Sequence, residues 1–234
     1  MHQVRMAVLL GTALLAGSSF ARTVDVPEGV TETLSDSLSG GEELVKTGLG
    51  TLVLGGANTG WTGAIDVQGG VLESPYDSLG TTGDMRVRSG ATLRVTGQVR
   101  YTRQTRHLYV SGTGATDAGG AVVAALEQTN NDWLLADVTL EGDTTFGGGA
   151  MGFTDGTLDF DGYTLTLMSG TGVVWFSREQ FARPGKIAKT NGYIGLYGYT
   201  SDYGEGVTIE VFGNVTVEMH TCRGCKALFR LVTH

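Results

Sequence analysis

Apolar residues recur at every second position in short bursts along almost the whole chain. Leu52 and Leu54 flank Val53, Ile65 and Val67 flank Asp66, Met85 and Val87 flank Arg86, and Leu93 and Val95 flank Arg94. The same spacing returns at Val138 and Leu140, Leu158 and Phe160, Leu165 and Leu167, Val207, Ile209 and Val211, and Val215 and Val217. A period of two puts alternate side chains on one face of a strand, so the pattern predicts many very short strands with one face buried. Helical spacing is scarce; a single helical turn is expected only at Val122 to Glu127, inside a Gly-, Ala- and Asn-rich stretch. The bursts are separated by turn-forming runs such as Gly55-Gly56-Ala57-Asn58, Gly69-Gly70, Ser89-Gly90, Asp161-Gly162 and Phe212-Gly213-Asn214.

Strands this short cannot bury their apolar side chains alone. They would have to pair across a sandwich or stack coil upon coil at about 4.8 Å, each coil covering the next. The 38 glycines, accompanied by only 3 prolines, suit a fold with many tight corners, because glycine reaches positive φ without steric cost. No strict glycine triplet is present, which excludes collagen.

The repeat content decides between the two architectures. Lys46-Thr47-Gly48-Leu49-Gly50-Thr51-Leu52-Val53-Leu54 is followed by Asn58-Thr59-Gly60-Trp61-Thr62-Gly63 and then by Gly69-Gly70-Val71-Leu72. This run closely resembles the autotransporter-associated β-strand repeat, also called the passenger-associated transport repeat, over residues 44 to 73. Weaker echoes lie at Val138 to Thr145 and Leu158 to Leu167, and Gly185 to Leu196 looks like a degenerate copy of the Lys-Thr-Gly coil. The resemblance implies an all-β chain folded as a right-handed parallel β-helix, a single-stranded β-solenoid of the kind carried as passenger by surface-exported bacterial proteins. On that reading residues 22–43 form an N-terminal cap or first coil, 44–219 the solenoid, and 220–234 a tail or cap. A complete autotransporter would also carry a membrane barrel of amphipathic strands of about ten residues, so the expectation is either a passenger-like piece secreted by another route or a truncated relative.

The first 21 residues read as a cleaved export signal, with Arg5, an apolar run from Met6 to Ala16, and Ser19-Phe20-Ala21 at the cleavage site. The run is shorter than the roughly 20 residues of a membrane-spanning helix, and no later segment reaches that length. The formal net charge of −8 argues against nucleic acid as a partner, since phosphate contacts need positive potential. The expected location is therefore the cell surface or the medium, and the sequence calls for no cofactor.

Candidate chemistry is sparse. Arg86, Arg88, Arg94, Arg100, Arg103 and Arg106 lie close together, and outward-facing copies would form a basic stripe for an anionic cell-surface glycan or else an ordinary charged face balanced by acids. Asp155, Asp159 and Asp161 form the best acidic cluster; a glycosidase needs two carboxylates across the scissile bond, whereas Asp-Gly corners need none. Cys222 and Cys225, in Cys-Arg-Gly-Cys, would form a local disulfide after export, with half a zinc site as the other reading. After the signal the only histidines are His107, His220 and His234, and no Ser-His-Asp constellation is recognisable. The function expected is thus a non-catalytic stalk or adhesive surface, with a polysaccharide lyase, glycosidase or glycan-binding β-helix as the alternative.

Overall fold

The computed structural model describes residues 20–80, 82–96, 103–124, 133–135, 137–168, 173–177, 180–197, 206–220 and 229–234. Residues 1–19, which hold nearly all of the expected signal, lie outside that range, as do Arg100, Cys222 and Cys225. Among the described residues every strand pairing is parallel. A sandwich of antiparallel layers is therefore excluded. The chain winds as a β-solenoid.

Three ladders of stacked strands run along it. The first contains Ala21–Asp25, Glu43–Thr47, Ile65–Val67, Met85–Val87, Leu108–Gly112, the start of Val138–Gly148, Thr157–Asp159 and Gln180–Ala182. The second begins with Thr31–Leu34, Thr51–Leu54, Gly70–Pro75, Ala91–Thr96 and Val122–Ala124. It continues through the end of Val138–Gly148, Thr164–Leu167, the first halves of Gly185–Tyr197 and Val207–His220, and Phe229–Thr233. The third appears only in the later coils, with Arg103–Gln104, Trp133–Leu135, Met151–Thr154, Val173–Ser177 and the second halves of Gly185–Tyr197 and Val207–His220.

Period-two alternation and parallel register together make the core a set of columns. Leu44, Ile65, Met85, Leu108, Val138, Leu158 and Phe181 stack in register in the first ladder, all buried. Leu52, Leu72, Leu93, Val122, Phe146 and Leu167 do the same in the second. Each such side chain contributes about 1.5–3 kcal/mol by leaving water. In the third ladder the column thickens into aromatics: Phe153 stacks on Phe176 at 4.8 Å, and Phe181 from the first ladder meets Phe176 edge-on at 5.3 Å.

One expectation needs amendment. The helical turn expected from Val122 is instead a strand at its start, Val122–Ala124, paired with Leu93–Val95 below and Phe146–Gly148 above. The column explains the change: β-branched Val122 fills the place between Leu93 and Phe146, and a helix would strip both neighbours of their ladder hydrogen bonds. Within the segment expected as tail or cap, Phe229–Thr233 is a further strand stacked on Val207–Val211.

In the early coils the third side is closed by loops, and Asn58 ties three of them together. Its Oδ1 accepts the Leu38 N–H at 2.7 Å and its Nδ2 donates to the Ser78 carbonyl at 2.6 Å. Asn58 is buried, so these bonds satisfy an amide that would otherwise be costly to bury. No helix among the described residues is long and apolar enough to cross a membrane.

Candidate functional site

The first ladder carries two of the arginines that the sequence singles out, Arg86 at an outward strand position and Arg88 just after the same strand. The register runs Asp66, Arg86, Tyr109, Thr139, Asp159, one residue per coil. Arg88 holds Asp66 through two bonds of 2.9 and 2.8 Å. Arg86 pairs with Glu141 at 3.0 Å and lies over the Tyr109 ring at 5.0 Å. On the second ladder Arg94 pairs with Glu73 at 3.2 Å, one coil below it. Partial burial works against the Asp66 charge, but the bonds from Arg88 and Gln68 and the charges of Arg88 and Arg86 outweigh it and hold this carboxyl below its usual range. These three arginines thus lie in a mixed-charge lattice.

Arg106 departs from the stripe altogether. It is 1% exposed and stacks under the Trp61 ring at 4.8 Å, while its Nη1 donates to the Gly63 carbonyl at 2.6 Å. Burial pulls its guanidinium down to about 10 despite the opposing charge of Asp84. It is a core fastener, and a surface ligand cannot reach it. The backbone of Arg103 stands at the start of the third ladder, and Arg100 lies outside the described residues.

Two of the three acidic residues, Asp159 and Asp161, are gathered by one arginine. Arg183 donates from Nε to Asp159 Oδ1 at 2.6 Å and from Nη2 to Asp159 Oδ2 at 2.5 Å, and its Nη1 bonds Asp161. Asp155 and Asp161 both sit at positive φ, +57° and +47°, as residues that turn corners do. His107 stacks on Tyr109 at 4.3 Å and its Nε2 meets the Thr139 hydroxyl at 2.9 Å. Among the described residues no group of three or more His, Cys, Asp or Glu is placed to hold a metal ion.

Sequence reasoning missed two lysines. Lys46 occupies an inward column, in register with Val24 and Val67, and Lys189 stands between Leu167 and Val211 in another. Both are fully buried. The Lys46 ammonium donates to the carbonyls of Thr47, Gly48 and Gly69 at 2.9, 2.8 and 3.0 Å, joining its own corner to that of the next coil. Gly48 in that corner is obligatory: its φ is +74° and a Cβ there would lie 2.2 Å from the Val26 carbonyl oxygen. Parity would have found both lysines, because Lys46 follows buried Leu44 by two and Lys189 follows buried Ile187 by two.

Burial lowers the Lys189 ammonium from 10.5 to about 8. Between pH 8 and about 10 the folded chain has lost that proton while the unfolded chain still holds it, so stability rises with pH over this interval. A shift of that size corresponds to roughly 3–4 kcal/mol at most. Above pH 10 the Tyr76 phenol, pushed up to about 12 by burial, acts in the opposite sense because the unfolded chain ionises first. Urea titrations at pH 7.5, 8.5 and 9.5 are expected to show the midpoint rising, and Lys189→Met to remove most of the rise. An unchanged slope in that variant would locate the effect elsewhere.

Residues 44–73 match the family described as Passenger-associated-transport-repeat. The chain is also similar to the adhesin BmaC autotransporter of Brucella suis biovar 1 (strain 1330), with 28% identity over 208 residues, covering 78% of this chain. It spans 6% of the length of that relative. No solved structure matches it.

Proposed function

We propose that this chain, which carries a passenger-associated transport repeat within a parallel β-solenoid, is a non-catalytic passenger segment presented at or beyond the bacterial surface as a stalk or adhesive face. The observation that carries the reading is the repeat coil at 44–73 set in register within the stack, its signature side chains spent on joining coils. Lys46, Asn58 and Trp61 all bond to backbone of neighbouring coils, so the repeat motif builds length and holds no reactive group in readiness. The adhesin relative supports an adhesive use of that length.

A polysaccharide-active reading would use Asp159 and Asp161. Their shared Arg183 weighs against it, since an acid–base pair must leave both carboxyls open to substrate and one of them protonated. Binding of an anionic glycan through arginine likewise draws little support from Arg86, Arg88 and Arg94, each facing a carboxylate. Beads coated with the purified chain are expected to adhere to epithelial cells or extracellular matrix above uncoated beads. The same protein is expected to release no reducing ends or unsaturated products from acidic and neutral polysaccharides. Turnover abolished by Asp159→Ala would replace this reading with the enzymatic one.

A further inference from the structure

We propose that the outer face of the third ladder carries a sugar-stacking platform, formed by Trp175, Tyr193 and Tyr197 around Glu218, that takes neutral pyranose glycans. The proposal rests on the adhesive reading above and gives that reading a site. Alternation along the strands sets the geometry. Val174, Phe176, Ile194 and Leu196 point into the core, so Trp175, Tyr193 and Tyr197 point outward, each partly exposed. In register, Gly152, Trp175, Gly195 and Glu218 form one outward column from coil to coil.

Glycine at 195 is what lets the Tyr197 ring lie down. Tyr193 and Tyr197 stand two positions to either side of it and lean together until their hydroxyls are 2.5 Å apart. A Cβ at Gly195 would lie 2.3 Å from Cε2 of the Tyr197 ring, so that ring rests against bare backbone. The Tyr193 hydroxyl donates to Glu218 Oε2 from the next coil, and the Tyr197 hydroxyl reaches the same oxygen at 3.3 Å. Trp175 occupies the coil on the other side of Gly195. The result is a low aromatic shelf rimmed by hydroxyls and one carboxylate.

A pyranose ring has the complementary form, with a face of C–H bonds that packs on a flat aromatic ring and a rim of hydroxyls that bonds to polar groups. A ring resting on bare backbone, as that of Tyr197 does, has little rotamer freedom to lose on binding, which favours such a contact. The sign of charge selects among glycans: among the described residues of the shelf the acidic group is Glu218, and the chain's formal charge is −8. A uronate or sulfated sugar would be repelled where a neutral sugar is not.

The test titrates the purified full chain with dextran, mannan and galactan, and with polygalacturonate as the anionic comparison, by calorimetry and tryptophan fluorescence. Wild-type protein is expected to bind at least one neutral polysaccharide and to ignore polygalacturonate. Trp175→Ala is expected to weaken that binding at least tenfold. Gly195→Ala removes no aromatic or polar group but lifts Tyr197, and a loss of similar size is expected with the far-UV spectrum and melting midpoint retained. Absence of binding to all three neutral polysaccharides, preference for polygalacturonate, or binding unchanged in both variants would overturn the proposal. So would a dimer dissolved by Trp175→Ala, which would give the face to a second copy. Beads with the wild-type protein separate the two readings: sugar binding by a chain that fails to adhere to cells sinks only the adhesive function, and adhesion without sugar binding sinks only the platform.

Discussion

Trp61→Ala is expected to destabilise the chain by about 3–5 kcal/mol, the range for deleting a buried aromatic from a packed core. Trp61 is fully buried, and its Nε1 donates to the Glu42 carbonyl at 2.6 Å in the preceding coil. On its other side lies Arg106, stacked on the ring and bonded to the Gly63 carbonyl. Substitution therefore does three things at once: it opens a cavity, releases a carbonyl, and strips a buried cation of its aromatic partner. The neighbourhood has little room to collapse into the gap. A Cβ at Gly63 would lie 1.7 Å from the Glu42 carbonyl oxygen, and one at Gly80 would lie 2.6 Å from the Trp61 carbonyl oxygen.

Stacked coils contact only their neighbours, so a defect at one interface divides the rod at that point. Urea unfolding of Trp61→Ala, followed by far-UV signal, is expected to split, with the coils near Glu42 to Gly83 melting before the aromatic-rich coils around Phe153, Phe176 and Phe181. Trp61→Phe, which keeps most of the volume but not the N–H, is expected to cost about 1–2 kcal/mol. A loss below 1 kcal/mol for Trp61→Ala would mean that the loop side of the early coils contributes little to the fold.

The sequence disclosed the stack because one physical rule governs it: alternation at Leu52 and Leu54 or Ile65 and Val67 decides which side is dry, and the turn-rich breaks decide where the chain bends. It disclosed less about which polar residues are dry. Lys46, Asn58 and Arg106 belong to residue types that are mostly exposed, and their burial follows from partners that are distant in sequence. Arg106 reads as one of a run of arginines until Trp61 and Gly63 are brought to it from more than forty residues away. Composition in a window cannot separate it from Arg88, which faces outward to Asp66. The Asp159 and Asp161 pair was visible as a cluster, but Arg183 comes from the following coil and only the stacking reveals it. The tyrosine shelf escaped for a similar reason: Tyr193, Tyr197, Trp175 and Glu218 come from three coils and meet only through the register.

Lys46→Ala is expected to cost about 3–4 kcal/mol, and Lys46→Met about 2 kcal/mol, by the measured range for hydrogen bonds to a charged group plus the cavity left by the shorter side chain. The two variants separate two roles. Methionine restores apolar bulk to the column between Val24 and Val67, so any cost that remains belongs to the carbonyls of Gly48 and Gly69, which lose their ammonium donor. The Thr47 carbonyl is less affected, since it also accepts the Val26 N–H at 3.1 Å. Burial lowers the Lys46 ammonium against the opposing pull of Asp25, so the protein bears a desolvation cost at this site that an inert column would not. Replacing a buried charge by a hydrophobic residue of similar size is often neutral or stabilising when its bonds are poor. A Lys46→Met chain as stable as wild type in urea would therefore mark the lysine as filler, whereas a loss of about 2 kcal/mol would mark it as the clasp between successive corners.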